Sequence, residues 1–227
     1  MRRRALRGMR GLRGLIAIGL AGGVLGALAA APAVAAAEDI EATYRKCIYP
    51  DLSRLDAVVG FCTTVIKSGR GGGAAQASAH LSRGNMYRRK GQYDRALDDY
   101  DESLRLDPAN AAPTLTSRGN AWRGKKDYAR AIADHSAAIA ADANYAVAYS
   151  NRGNVWSDQG QWDKAIADYD KAIALDPKYA NAFYNRGLAW QARDDRERAV
   201  ADFRTAVKLQ PGFAAAIDSL KELGAEP

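Results

Sequence analysis

Histidine and cysteine are scarce in this chain of 227 residues, with two of each. The histidines are His80 and His135, and the cysteines are Cys47 and Cys62. So few ligands argue against a structural zinc site, and no Cys-x-x-Cys redox pair is present. A phosphate loop is lacking as well. Gly69-Arg70-Gly71-Gly72-Gly73 has the glycines but neither the Gly-Lys-Ser or Gly-Lys-Thr ending nor a preceding strand. No nucleophile stands in a pattern with a base, so no cofactor, metal or catalytic group is expected.

Long apolar runs are absent except at the start. There Arg2, Arg3, Arg4, Arg7, Arg10 and Arg13 precede an apolar run from Leu15 to about Ala31, followed by the small residues Ala33-Val34-Ala35 and Ala35-Ala36-Ala37. Residues 1 to 37 read as an export signal peptide cleaved before Glu38, which makes the protein periplasmic, with no membrane span after cleavage. The competing reading is an uncleaved anchor, and the export route stays open because Arg3-Arg4-Ala5-Leu6-Arg7 only loosely matches a twin-arginine signal.

The net charge of +7 suggests a nucleic-acid or anionic-membrane partner until its source is located. The leader holds six arginines and no acid, which leaves the remainder at +1. Nucleic acid is therefore not an expected partner.

What the chain does have is a period. Gly84, Gly119, Gly153 and Gly187 lie 35, 34 and 34 residues apart, and four segments align: 77 to 111, 112 to 145, 146 to 179 and 180 to 213. Position 4 of each holds His80, Leu115, Tyr149 and Phe183; position 8 the glycines; position 11 Tyr87, Trp122, Trp156 and Trp190. Position 20 is alanine throughout: Ala96, Ala131, Ala165 and Ala199. Position 24 is Tyr100, His135, Tyr169 and Phe203, and position 27 is Ser103, Ala138, Ala172 and Ala206. Spacings of three and four put 4, 8 and 11 on one face of a first helix and 20, 24 and 27 on one face of a second. Large residues on one helix then fill the space left by small ones on the other.

This pattern, closed by Pro108, Pro177 and Pro211 with Ala143 as the exception, resembles the tetratricopeptide repeat, a helix-turn-helix unit of 34 residues. The resemblance implies an all-α right-handed superhelix of antiparallel helix pairs, with a concave groove that binds peptides or partner proteins. Residues 214 to 227 are expected to supply a capping helix and tail. Residues 38 to 68 read as a divergent N-terminal helix pair, joined to the array by a flexible Gly-rich link over 69 to 76. In an exported protein, Cys47 and Cys62 are expected to form a disulfide across that pair; two free buried cysteines are the alternative.

Position 7 is Arg83, Arg118, Arg152 and Arg186, and position 23 is Asp99, Asp134, Asp168 and Asp202. Structural ion pairs between them are expected, either within a repeat or between neighbours. Positions 2, 5, 9 and 12 are those the family turns toward its groove. They nominate Asn85, Arg88, Asn120, Arg123, Asn154 and Tyr184 as partner contacts, because an asparagine ladder both donates to and accepts from an extended peptide backbone. The plainer reading is that solvent-facing helix positions are simply polar.

A chaperone-tail clamp is not supported, since Thr116 and Asn181 stand where cations are needed. The expected function is a noncatalytic protein-interaction scaffold of a bacterial cell envelope. An enzyme with its site in the groove is the alternative, and self-association through terminal repeats is left open.

Overall fold

The computed structural model describes residues 30 to 226; the expected leader therefore falls mostly outside the described residues. Among those residues the chain forms eleven α-helices and no strand: α1 (Ala30–Ile48), α2 (Leu55–Ser68), α3 (Gly72–Arg89), α4 (Tyr93–Leu106), α5 (Ala111–Gly124), α6 (Tyr128–Ala141), α7 (Ala146–Asp158), α8 (Trp162–Leu175), α9 (Ala180–Ala192), α10 (Arg196–Leu209) and α11 (Ala214–Glu222). A single 3₁₀ turn, Pro108–Asn110, precedes α5. No described helix is long and apolar enough to cross a membrane. The chain divides into two compact units between Ser117 and Arg118, within α5.

In the first unit, Tyr44, Cys47, Val58, Cys62, Val65, Ala75, Ala79 and Met86 bring α1, α2 and α3 into one core. Cys47 and Cys62 are bonded there, with Cα atoms 4.9 Å apart. Ser82 Oγ donates to Cys47 O at 2.5 Å, fastening α1 to α3. Helix α3 then pairs with α4, where the ring of Tyr100 lies against Gly84.

The segment between α2 and α3 differs from the flexible link expected over 69 to 76. Helix α3 already starts at Gly72, so residues 69 to 71 make a tight turn and the rest is helix. Gly69, Gly71 and Gly72 take positive φ, which glycine adopts without penalty. Gln76 pins the turn further, its Nε2 donating to Val65 O and Arg70 O. The glycines here supply the backbone angles of a tight turn.

In the second unit, helix pairs α7/α8 and α9/α10 repeat one packing scheme, and α11 closes the last pair. Tyr169 with Ala165, Ile166 and Ala189 forms one cluster; Phe203 with Ala199, Val200 and Leu220 forms the next. The turn inside each repeat is also reused. One residue goes left-handed, Gly91, Lys126, Gly160 or Asp194, with φ between 61° and 71°. The N–H of Gln92, Asp127, Gln161 or Asp195 then reaches back to the carbonyl of Tyr87, Trp122, Trp156 or Trp190 at 2.9 to 3.0 Å. This six-to-one bond is the Schellman closure of a helix C-terminus.

Candidate functional site

The Arg-Gly-Asn stretch of α3, α5 and α7, which becomes Arg186-Gly187-Leu188 in α9, separates into three kinds of contact. Glycine comes first, and its contribution is closeness. A Cβ on Gly84 or Gly153 would stand 2.7 Å from Cε1 of Tyr100 or Tyr169; on Gly119, 2.8 Å from His135 Cε1; on Gly187, 2.6 Å from Phe203 Cε1.

The arginines meet the aspartates of their own repeat, which decides between the two pairings the sequence allows. Arg83 donates through Nε to Asp99 Oδ2 at 2.9 Å and through Nη2 to Oδ1 at 2.8 Å. Arg118 forks onto Asp134 at 2.8 and 2.6 Å, Arg152 onto Asp168 at 2.9 and 2.8 Å, and Arg186 onto Asp202 at 2.8 and 2.7 Å. All four aspartates are buried, so the two-pronged geometry compensates a carboxylate taken out of water. The remaining Nη1 reaches the preceding helix pair: Arg83 to Thr63, Arg152 to Ser136 and Arg186 to Asp170.

Hydrogen bonds to the aspartates raise the Arg83, Arg152 and Arg186 pKa values above the usual guanidinium range. At Asp99, burial pushes the carboxyl up, but the hydrogen bonds from His80 and Arg83 outweigh it and hold the group below the ordinary range. His80, read as a packing residue, places Nδ1 2.8 Å from Asp99 Oδ1.

The asparagines are partly enlisted by the scaffold. Tyr100 Oη donates to Asn85 Oδ1 at 2.9 Å, and Tyr169 Oη to Asn154 Oδ1 at 2.8 Å. Asn154 Oδ1 also accepts from Asn185 Nδ2 at 3.0 Å. Its acceptor is thus occupied and its Nδ2 is the group left to donate. In the second repeat His135 replaces the tyrosine. It is fully buried, neither ring nitrogen has a hydrogen-bond partner, and burial, then the charges of Arg123 and Arg152, push its pKa down to about 3.

The other nominated contacts are more committed than the sequence suggests. Arg123 forks onto Asp158 of the next first helix, Nε to Oδ2 at 2.5 Å and Nη2 to Oδ1 at 2.8 Å. Arg88 lies against the Tyr100 hydroxyl, and its buried Nε has no partner. Tyr184 packs its ring on Phe203 and Phe213, with centroids 5.7 and 5.0 Å away. Position 5 corrects the expectation of a groove-facing row in two repeats: Thr116 and Ser150 are buried, small enough to fit between helices, whereas Leu81 and Tyr184 are partly exposed.

Sequence reasoning missed one series. Arg95, Arg130, Lys164 and Arg198 lie over Tyr87, Trp122, Trp156 and Trp190 at 4.0 to 4.6 Å from the ring centroids. The constant offset of eight residues from aromatic to cation was the available signal. Among the described residues no group of three or more His, Cys, Asp or Glu could hold a metal ion.

Comparison with known proteins bears on this arrangement. The profile described as "Tetratricopeptide repeat" matches residues 77 to 110, and the one described as "TPR repeat" matches 157 to 193. No curated protein gives a significant sequence match. Among solved structures, MamA is 26% identical over 70% of this chain and 90% of its own, with a TM-score of 0.56. TTC0263 of Thermus thermophilus is 17% identical over 81% of this chain and 98% of its own, with a TM-score of 0.69. YrrB, described as a TPR protein with an unusual peptide-binding site, is 22% identical over 86% of this chain and 100% of its own, at 0.55. The last two likenesses speak to the fold. The tetratricopeptide repeat is in general a non-enzymatic interaction module, which supports a protein-interaction scaffold. With two matching profiles, repeated helix pairs and the large-to-small interlock at every repeat, this chain is a tetratricopeptide-repeat protein.

Proposed function

We propose that this protein is a noncatalytic scaffold of the bacterial cell envelope that binds an extended peptide segment of a partner along its first helices. The observation that carries the reading is the fixed amide of Asn154. Tyr169 and Asn185 both donate to its oxygen, which orients the side chain and leaves Nδ2 to donate to a peptide carbonyl. Preorganised in this way, the amide gives up little rotamer freedom on binding. Backbone recognition of this kind demands little of the partner's sequence. Beside it, the exposed Leu188 replaces the asparagine of the next repeat and offers an apolar contact.

Export rests on the basic and apolar start of the sequence, and the bonded pair Cys47 and Cys62 accords with an oxidising compartment. Capture of partners from an envelope extract by the purified protein tests the binding reading. A specific protein is expected to be recovered by the wild type and lost with Asn120→Ala and Asn154→Ala together. Equal recovery by that variant, or turnover in a substrate screen, overturns it. Cell fractionation with N-terminal sequencing tests export, with Glu38 expected as the first residue.

A further inference from the structure

The two most exposed large hydrophobics among the described residues, Tyr49 at 57% and Leu52 at 45%, both lie in the loop between α1 and α2. Tyr49 lines a cavity of about 250 Å³ together with Ala57, Val58 and Phe61 and with the charged Lys46, Asp51 and Arg54, and Leu52 follows Asp51 in the same loop. An apolar cavity flanked by exposed apolar side chains, on a module lying before the repeats, has the character of an interaction site.

The rim charges indicate what the cavity takes. Asp51 Oδ1 is occupied by its own turn, accepting from Ser53 N at 3.0 Å and Ser53 Oγ at 2.6 Å. Neither Lys46 nor Arg54 forms a close ion pair among the described residues, although Arg54 is electrostatically coupled to Asp51 of the same rim; Lys46 Nζ lies 5.3 Å from the Phe61 ring centroid. Two cations without a close ion pair therefore line the cavity beside its apolar residues.

A second copy of this chain is a poor match. Among the described residues its other exposed large hydrophobics are Leu188 and Leu209. Leu209 follows Lys208, of the same sign as the rim, and Leu188 has Tyr184, Asn185, Gln191 and Ala192 around it on α9, with no carboxylate among them. Neither offers an apolar side chain beside an acid.

We propose that this cavity is a second docking site, separate from the first-helix surface, for an acidic peptide segment of another protein. One large apolar side chain enters over Val58, and flanking carboxylates meet Lys46 and Arg54. The charges set orientation and salt dependence, and the apolar side chain supplies most of the affinity.

Fluorescence anisotropy of the purified protein with a labelled Asp-Glu-Leu-Phe-Glu-Asp peptide tests this. Binding is expected, falling at least tenfold with Lys46→Glu and Arg54→Glu together, and separately with Tyr49→Ser and Leu52→Ser together. All four side chains are exposed, so the fold is retained in both variants. Asn120→Ala with Asn154→Ala is expected to leave the affinity unchanged, which separates this site from the first-helix surface. Equal binding of Lys-Lys-Leu-Phe-Lys-Lys or Asp-Glu-Ser-Ser-Glu-Asp overturns the proposal, as does unchanged affinity in the two surface variants. A concentration-dependent dimer in ultracentrifugation, abolished by Tyr49→Ser and Leu52→Ser, also overturns it by making a second copy the occupant.

Discussion

Gly153 lies so close under the ring of Tyr169 that a Cβ on it would stand 2.7 Å from Cε1 and 3.0 Å from Cδ1. Tyr169 is almost fully buried and its hydroxyl is held by Asn154, so the ring has little room to move aside. Gly153→Ala gains about 1 kcal/mol of helix propensity but forces overpacking that costs roughly 1–3 kcal/mol. The net effect expected is destabilisation, read as a lower urea midpoint. The same exchange at the exposed Gly60, where a Cβ meets nothing within 4 Å, is expected to stabilise.

The Arg152 to Asp168 fork leads to a test by substitution. Arg152→Ala strands a buried carboxylate and is expected to cost roughly 2–4 kcal/mol in denaturant unfolding. Arg152→Lys keeps the charge but loses the two-pronged geometry, so an intermediate loss is expected. Adding Asp168→Asn to Arg152→Ala should cost less than the sum of the single changes, because the stranded charge disappears.

His135 makes stability depend on pH. Its folded pKa is depressed to about 3, whereas in the unfolded chain it is near 6.5. Between those values the unfolded state binds the extra proton, so stability falls as pH drops through that window, by about 2 kcal/mol at pH 5. His135→Tyr is expected to remove this part of the pH dependence. It should also add about 1 kcal/mol at pH 7, by offering Asn120 the hydroxyl that Tyr100 and Tyr169 give Asn85 and Asn154. Urea titrations of both proteins at pH 5 and pH 7 check both statements.

Lys126 and Asp194 take φ of 62° and 61° where the equivalent turns use Gly91 and Gly160. Left-handed backbone costs a side chain about 1 kcal/mol. Lys126→Gly and Asp194→Gly should each raise stability by about 0.5–1 kcal/mol, measured as the urea midpoint.

Removing the Cys47 to Cys62 bond is expected to cost about 3 kcal/mol in the loop-entropy model for a closed loop of this length. The loss should be local. Hydrogen exchange of the Cys47→Ser and Cys62→Ser double variant is expected to quicken in α1 and α2 while α7 to α10 keep their protection.

How much of this is legible in the sequence depends on whether one residue or two carry the information. Gly187 and Phe203 each announce a small or large position by recurrence, so the interlock of the helices can be read directly. The Tyr169 to Asn154 bond joins two recurring residues fifteen apart, and recurrence alone does not say that they meet. Ser150 misleads because a hydroxyl looks solvent-facing, although a small side chain also fits between helices. Lys164 escapes notice for the opposite reason: a cation on an exposed helix face is unremarkable until the ring of Trp156 is found beneath it. The turn at Gly71 and Gly72 requires backbone angles that composition does not supply.

Because each arginine forks onto an aspartate sixteen residues away in the same repeat, duplication or loss of one whole repeat leaves every such fork intact. Only the third amine, which reaches back to Thr63, Ser136 or Asp170, must find a new neighbour, and a hydroxyl or a carboxylate serves it equally. The array can therefore change length by recombination without passing through an intermediate that carries a stranded buried charge.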